Sequence, residues 1–350
     1  MSFALLESTD DILAAKGNHT IAVVKGKEDY VVLKNCFKDV LSDTNDMVRE
    51  KKIDLGEDIV NLEFFLGGDY KFILLMMGLS GATSNHACAW CKIHKDERWN
   101  MAYDLNHYNS PPLKHTIKEM KELAGKKNNF CCVNPPLIDI DLDHVILDEL
   151  HLLLRIMDVL INNLVTEAVH WDQQDNWTKR KKDQTTKHLD KLKNTIRSCG
   201  VTFEIWEKSN ADGKRSGQYD FTSLLGPDKK KLLKELPEKL TGNTYIGYRR
   251  CNVTPYMHAM VYHLPKFLET YKTVKLFSGQ GVEKNNDVAR SIVLRKSNNW
   301  DAAADVLKLE SRQWDLREKE RIKRSYTKKN SQYWEHELEE ERKKRRKTLI

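Results

Sequence analysis

The sequence predicts an α/β fold carrying a large helical insertion, on three observations. Short apolar segments in the first 85 residues end in turn residues, most tellingly at residues 61–66, which run into Gly67-Gly68-Asp69. Residues 165–250 are dense in charge and mainly helical by spacing. Two pairs of metal-ligating side chains, Cys88 with Cys91 and His258 with His263, flank that charged stretch, so the chain must fold back on itself to unite them.

Taken in order, residues 3–7 and 21–25 read as strands joined by a Lys16-Gly17-Asn18 turn. Val31, Val32, Leu33, Cys36, Phe37, Val40 and Leu41 recur at helical spacing across residues 30–48. The apolar run at 70–79 is too long for an ordinary strand and reads as a buried helix, which places Asp69 at a strand end directly before it. Residues 78–95 are turn-rich and hold the cysteine pair, and a short helix follows at 116–123. Residues 139–164 begin as a strand and become a helix from about 147, with Leu150, Leu153, Leu154, Met157 and Leu160 on one side. The charged region breaks at 210–217 and at Gly226-Pro227 and closes at Thr241-Gly242-Asn243. Helices are expected at 282–294 and 301–309, before a nearly all-charged tail. The expected organisation is therefore an α/β core at 1–85, the cysteine pair and helical insertion at 86–257, the histidine pair with a following helix at 258–309, and a basic tail at 310–350. No internal repeat is present.

Composition narrows the function classes. With 350 residues, 40% hydrophobic and 31% charged, the chain reads as globular, without the run of roughly 18 to 20 apolar residues that a membrane span needs. Nor does it open with a basic segment followed by an apolar one, so an intracellular protein is expected. Seven cysteines are an odd number and too sparse for a disulfide scaffold, which favours reduced thiols and metal binding. The net charge of +7 is concentrated: residues 311–350 hold 14 Lys and Arg against 8 Asp and Glu.

A Cys-x-x-Cys pair can converge on one zinc ion through a tight turn. His258 and His263 are turned about 140° apart on an ideal helix, so the pair requires a helix end or bend, which Pro265 supplies. Buried apolar thiols are the plainer reading of the cysteines, and His86 and His94 stand close enough to compete as ligands. Four protein ligands would make the zinc structural, with no position left for substrate. Asp69 stands 19 residues before Cys88 and Glu283 stands 20 after His263, an order that suggests a zinc clasp holding two parts of a two-metal nuclease site together. Each acid also has a local reading, Asp69 as a helix N-cap and Glu283 as a first-turn glutamate favoured by the helix dipole. Glu283, Asp287 and Arg290 share one helix face.

Three segments carry a family resemblance: GGDYKFILLMMGLSGATSNHACAWC from residue 67, LDELHLLLRI from 147, and VTPYMHAMVYHLPKFLETYKTVKLFSGQGVEKNND from 253. Together they resemble the catalytic core of the V(D)J recombination-activating protein and the Transib transposases, which are RNase H-like DDE recombinases; the likeness spans about residues 3–300. It implies a partial RNase H-like mixed sheet with a large zinc-fastened helical insertion. Asp69 matches the family's second catalytic aspartate and Glu283 its catalytic glutamate, while Asp148 and His151 fall near the active site. Cys88, Cys91, His258 and His263 match the zinc ligands. The implied chemistry is DNA strand cleavage and transfer with two Mg²⁺ or Mn²⁺ ions at Asp69 and Glu283, on double-stranded DNA, by a dimer in the nucleus.

The family's first aspartate has no counterpart, since Asp10 and Asp11 match neither its position nor its setting. The chain is therefore expected to be either an N-terminally truncated copy or a protein that no longer cuts DNA, weakly active or inactive alone. Cations expected near DNA are Lys284, Arg290, Arg295 and Lys296, with further clusters at Lys179 to Lys182 and Lys229 to Lys231 that a solvated helix face explains at least as well. The Arg342 to Lys347 run has the composition of a nuclear-import or nucleic-acid patch, or of a solvated face. A second functional class fits the same residues: a non-enzymatic, zinc-stabilised protein, domesticated from a transposon, that binds nucleic acid or a partner protein.

Overall fold

Near the N-terminus, β1 (Ser2–Phe3) pairs antiparallel with β2 (His19–Thr20). The single helix expected over 30–48 divides into α1 (Tyr30–Cys36), capped by the Asp29 carboxylate, and α2 (Lys38–Glu50). Between them Phe37 leaves helical geometry and is buried in the core. An exposed hairpin of β3 (Lys52–Asp54) and β4 (Ile59–Asn61) follows, and so the strand expected at 61–66 begins only at its far end, as β5 (Leu66–Gly68). The computed structural model describes residues 1–6, 13–24, 26–240, 253–297, 300–317 and 340. Asp10, Asp11 and the Arg342 to Lys347 run lie outside them.

The buried helix expected after Asp69 is α3 (Tyr70–Met76), with Tyr70, Ile73, Leu74 and Met76 on its inner face. The chain then turns at Gly78, whose φ of +68° suits glycine alone. A Cβ there would lie 2.1 Å from the Asn134 carbonyl oxygen, and the Asn134 amide donates back to the Gly78 carbonyl. That close approach holds the turn-rich segment against residues 131–135. After α4 (Ile117–Leu123), the strand β6 (Val145–Leu147) pairs with β5 in parallel, Gly68 opposite Leu147. Every residue of β6 is buried.

Helix α5 (Glu149–Asn176) is 28 residues long and serves two hydrophobic cores. Its first turns, through Leu152 and Ile156, pack with α1, α3, the cysteine loop and β6. From Met157 onward it packs with α6 (Lys187–Ser198), the hairpin of β7 (Ile205–Ser209) and β8 (Arg215–Phe221), and α7 (Gly226–Lys239). The break expected at 210–217 is the turn of this hairpin, and Gly226-Pro227 opens α7 instead of interrupting a helix, as the missing N–H of proline permits in a first turn. The chain continues through α8 (Pro255–Tyr262), α9 (Leu264–Tyr271), α10 (Gln280–Arg295) and α11 (Ala302–Arg317). About half of the chain is helical, and the described strands form four separate two-stranded sheets, so the molecule is mixed α/β without one extended sheet among the described residues.

Candidate functional site

Cys88 and Cys91 lie in a loop fastened on both sides. The Tyr70 hydroxyl donates to the Ala87 carbonyl at 2.5 Å, the Trp90 indole donates to Val145 of β6, and the His115 amide donates to the Trp90 carbonyl. Both thiols are fully buried. The histidines arrive from α8 and from its junction with α9: His263 ends the first helix and opens the second, and the bend turns both rings to one side. Thr254 caps α8 and Pro255 begins it, so the helix that carries His258 starts at a sequence-encoded point.

The four side chains converge. Cys88 Sγ lies 3.2 Å from His263 Nε2, Cys91 Sγ lies 3.2 Å from His258 Nε2, and the four ligand atoms are all within 4.8 Å of one another. Around a tetrahedral ion with ordinary Zn–S and Zn–N bonds, sulfur and nitrogen stand about 3.6 Å apart, so the donor set and spacing fit structural zinc. Burial opposes a Cys88 thiolate, but the Cys91 hydrogen bond and the two imidazoles outweigh it and hold its pKa well below the usual thiol range. Burial, with the neighbouring Cys88 thiolate, pushes Cys91 up, so the pair shares one proton that an ion would displace. His94, the rival ligand, pairs with Asp96, and His86 faces the Lys92 carbonyl; neither joins the group.

Two supporting residues carry no signature in the sequence. Asn109 Oδ1 accepts from His263 Nδ1 at 2.8 Å, and its amide donates to the Leu105 and Tyr262 carbonyls, which fixes the tautomer that turns Nε2 toward Cys88. Arg98 is buried, donates to the Ser84 carbonyl, and places its charge near both thiols.

The carboxylates gather at the C-terminal ends of the one parallel strand pair among the described residues. Asp69 follows β5 and Asp148 follows β6, each capping the helix that comes next. Asp69 Oδ1 accepts the Phe72 amide at 2.7 Å, the capping role that its position suggested. Asp148 is almost fully buried: Oδ1 accepts the Gly279 amide at 2.6 Å and Oδ2 accepts from the amide and Nδ1 of His151. Burial opposes its ionisation, yet these hydrogen bonds prevail and lower its pKa. The Gly279 contact docks the start of α10 here, and a Cβ at 279 would lie 3.0 Å from the Asp148 carboxyl carbon. Glu283, in the first turn of α10, consequently reaches His151, with Oε1 3.7 Å from Nε2. His151 has its pKa raised, first by its hydrogen bond to Asp148 and further by the charges of Asp148, Asp69 and Glu283, with burial opposing.

Asp69, Asp148, His151 and Glu283 are thus brought together from three remote stretches. Their oxygens are less convergent than the Cys/His set, which is the one group of three or more Cys, His, Asp or Glu ligand atoms close enough to hold an ion among the described residues. Asp69 Oδ1 is taken up by the Phe72 amide, and Glu283 is half-exposed beside His151. Arg155, one turn beyond His151, places its charge beside the Tyr256 hydroxyl, on which Asp69 also acts; the sequence reading passed over both residues.

Of the expected DNA-facing cations, Arg295 and Lys296 are exposed, Lys284 donates to the Leu13 carbonyl, and Arg290 pairs with Asp287. Within the Lys229 to Lys231 cluster the structure corrects one residue: Lys229 is buried against Asp158 and so joins α7 to α5, while Lys230 and Lys231 are exposed, Lys231 donating to the Gly200 carbonyl. No helix among the described residues is long and apolar enough to cross a membrane. No protein-family model matches the chain, and no curated protein matches it.

Proposed function

We propose that the chain is a transposase-derived DNA recombinase core of the V(D)J and Transib type, in which a structural zinc holds the catalytic glutamate helix against an RNase H-like strand pair. The observation that carries this reading is the meeting of Asp69, Asp148 and Glu283 around His151, at the ends of adjacent parallel strands and beside a buried Cys₂His₂ group. Strand ends are rigid, and the loops beyond them leave room for a phosphate. Asp148 holds the His151 Nδ1 proton and anchors α10 through Gly279, and the imidazole, whose charged form the surrounding carboxylates favour, faces Glu283 where a scissile phosphate would lie. Divalent ions, when bound at Asp69 and Glu283, supply activation of the attacking oxygen and stabilisation of the leaving one. Double-stranded DNA, a dimeric assembly and a nuclear location accompany this reading.

One observation favours the second reading, a zinc-stabilised binding protein without nuclease activity. Both oxygens of Asp148 are committed to hydrogen bonds, which leaves two carboxylates in place of the three that a two-metal site uses. A nicking assay on supercoiled plasmid with Mg²⁺ or Mn²⁺ distinguishes the two. Nicking that Glu283→Gln abolishes, with zinc content and DNA affinity unchanged, supports the recombinase; since the chain is expected to be inactive without the family's first aspartate, DNA binding with no nicking at either metal supports the binding protein when the chain is supplied with that strand and aspartate.

A further inference from the structure

At the far end of α5 the chain presents a feature that neither the zinc group nor the carboxylates use. Trp177 is 89% exposed, although burying an indole is among the largest apolar gains a side chain offers. It is followed by Lys179, Arg180, Lys181 and Lys182, all exposed. The loop that displays them is built: the Asn176 side chain donates to the Thr185 carbonyl at 2.7 Å and accepts the Thr185 amide at 3.0 Å, closing residues 177–185 into a tethered turn.

The charge of this turn is not neutralised from nearby. Asp172 is buried and accepts the His188 and Leu189 amides, Asp175 pairs with His188, and Asp190 pairs with Thr186 and Lys193. Asp183 within the turn and Asp175 just before it are the exposed carboxylates nearest in sequence to the four cations, and none of the four is in an ion pair among the described residues. An exposed indole beside four consecutive exposed cations is the pairing that holds unpaired nucleotides, since bases stack on the ring and the backbone runs along the cations. A 28-residue helix at 1.5 Å per residue sets this turn about 40 Å from Asp148, so it is a separate site.

We infer that the Trp177 to Lys182 turn is a binding site for single-stranded nucleic acid, with Trp177 as the base-stacking platform and Lys179, Arg180, Lys181 and Lys182 as phosphate contacts. The site stands on its own charge and exposure and does not rest on the recombinase reading.

The test is fluorescence anisotropy of labelled 20-nucleotide oligo(dT) and oligo(U), with a duplex of the same length, without divalent metal and at 50 to 200 mM salt. Trp177→Ala is expected to weaken single-strand binding about 5- to 100-fold, with little effect on the duplex. Replacing all four cations by serine is expected to reduce the slope of log affinity against log salt by about 3. The two oligonucleotides assign the strand as DNA or RNA. Unchanged circular dichroism and zinc content establish that both variants fold. Single-strand affinity and salt slope that ignore these substitutions would overturn the site. So would equal weakening of duplex binding by Trp177→Ala, or Trp177-dependent binding to phosphatidylserine vesicles without binding to either oligonucleotide.

Discussion

Cys88, Cys91, His258 and His263 were legible in the sequence because zinc chemistry demands thiolate and imidazole and the spacing demands a turn and a helix end. Asn109 and Arg98 were not, because an amide acquires its role only when the fold sets it beside His263, 154 residues away, and a guanidinium only when burial brings its charge beside the thiols. Cys88→Ser is expected to abolish zinc binding, taking the metal content from one ion per chain to none by mass spectrometry. It would remove much of the roughly 10 kcal/mol that such a site contributes to folding at neutral pH. Asn109→Ala keeps all four ligands but frees His263, so its zinc affinity, measured by competition with a chelator, should fall about 10- to 100-fold. His115 presents a different expectation. Both its ring nitrogens are buried without a partner, and burial pushes its pKa down to about 4. A depressed folded value means that the neutral ring is favoured by folding. The contribution is therefore complete above the ordinary 6.5 and is lost as pH falls toward about 4. Between pH 7 and pH 5 the wild type should lose about 2 kcal/mol more stability than His115→Leu. Comparing the two by urea unfolding at each pH cancels the acid-driven loss of zinc that both share.

Among the elements, those whose apolar spacing runs in one register were readable: α3 between Asp69 and Gly78, α5 after β6, and α10. The β7–β8 hairpin escaped because its turn, Asn210 to Lys214, is polar and neither strand has a fully buried residue, so the polar positions resemble a charged helix face. The division between α1 and α2 escaped because Phe37 fits the helical repeat, yet burying it requires the chain to bend. The docking of α7 on α5 was not legible for a related reason: a lysine run looks like surface charge free to meet DNA, whereas Lys229 is 3% exposed, with its ammonium 2.5 Å from Asp158 and 3.1 Å from the Leu154 carbonyl. The two partners are not equivalent, since the Asp158 side chain remains 40% exposed. Removing the carboxylate strands a buried cation, so Asp158→Ala should cost about 3 to 5 kcal/mol. Removing the cation leaves a carboxylate that water can reach, so Lys229→Met should cost about 1 kcal/mol or less. Urea unfolding that returned the opposite order would show that Lys229 is not held by this pair.

At the scale of the whole molecule, the fold is two hydrophobic cores strung on one helix, and what joins distant parts of the first core is chemically unlike what holds the second. The second core, from Met157 to Leu236, is closed by ordinary apolar packing of Ile161, Leu164, Val165, Leu192, Ile196, Phe203 and Leu232, and contains no ligand of the Cys/His group. The first core includes Cys88 and Cys91, and α8 reaches it through Met257, Ala259 and Tyr262 with His258 and His263 beside them. Loss of the ion leaves a buried thiolate and buried imidazoles to be protonated or solvated, which strains only that core. A zinc chelator is therefore expected to split unfolding into two stages. The first should release α8 and α9 together with the cysteine loop, and the second should melt α5 through α7. Hydrogen exchange after chelation is the measurement: amides of Leu192, Ile196 and Leu232 should remain protected while those of Ala259, Tyr262 and His263 exchange. Because α10 follows α9 in the chain, the same treatment should pull Glu283 away from His151, so the Gly279 amide, bonded to Asp148 in the folded state, should lose protection in the first stage. Uniform exchange across both cores would mean that α5 transmits the loss along its whole length and that the molecule unfolds as a single cooperative unit.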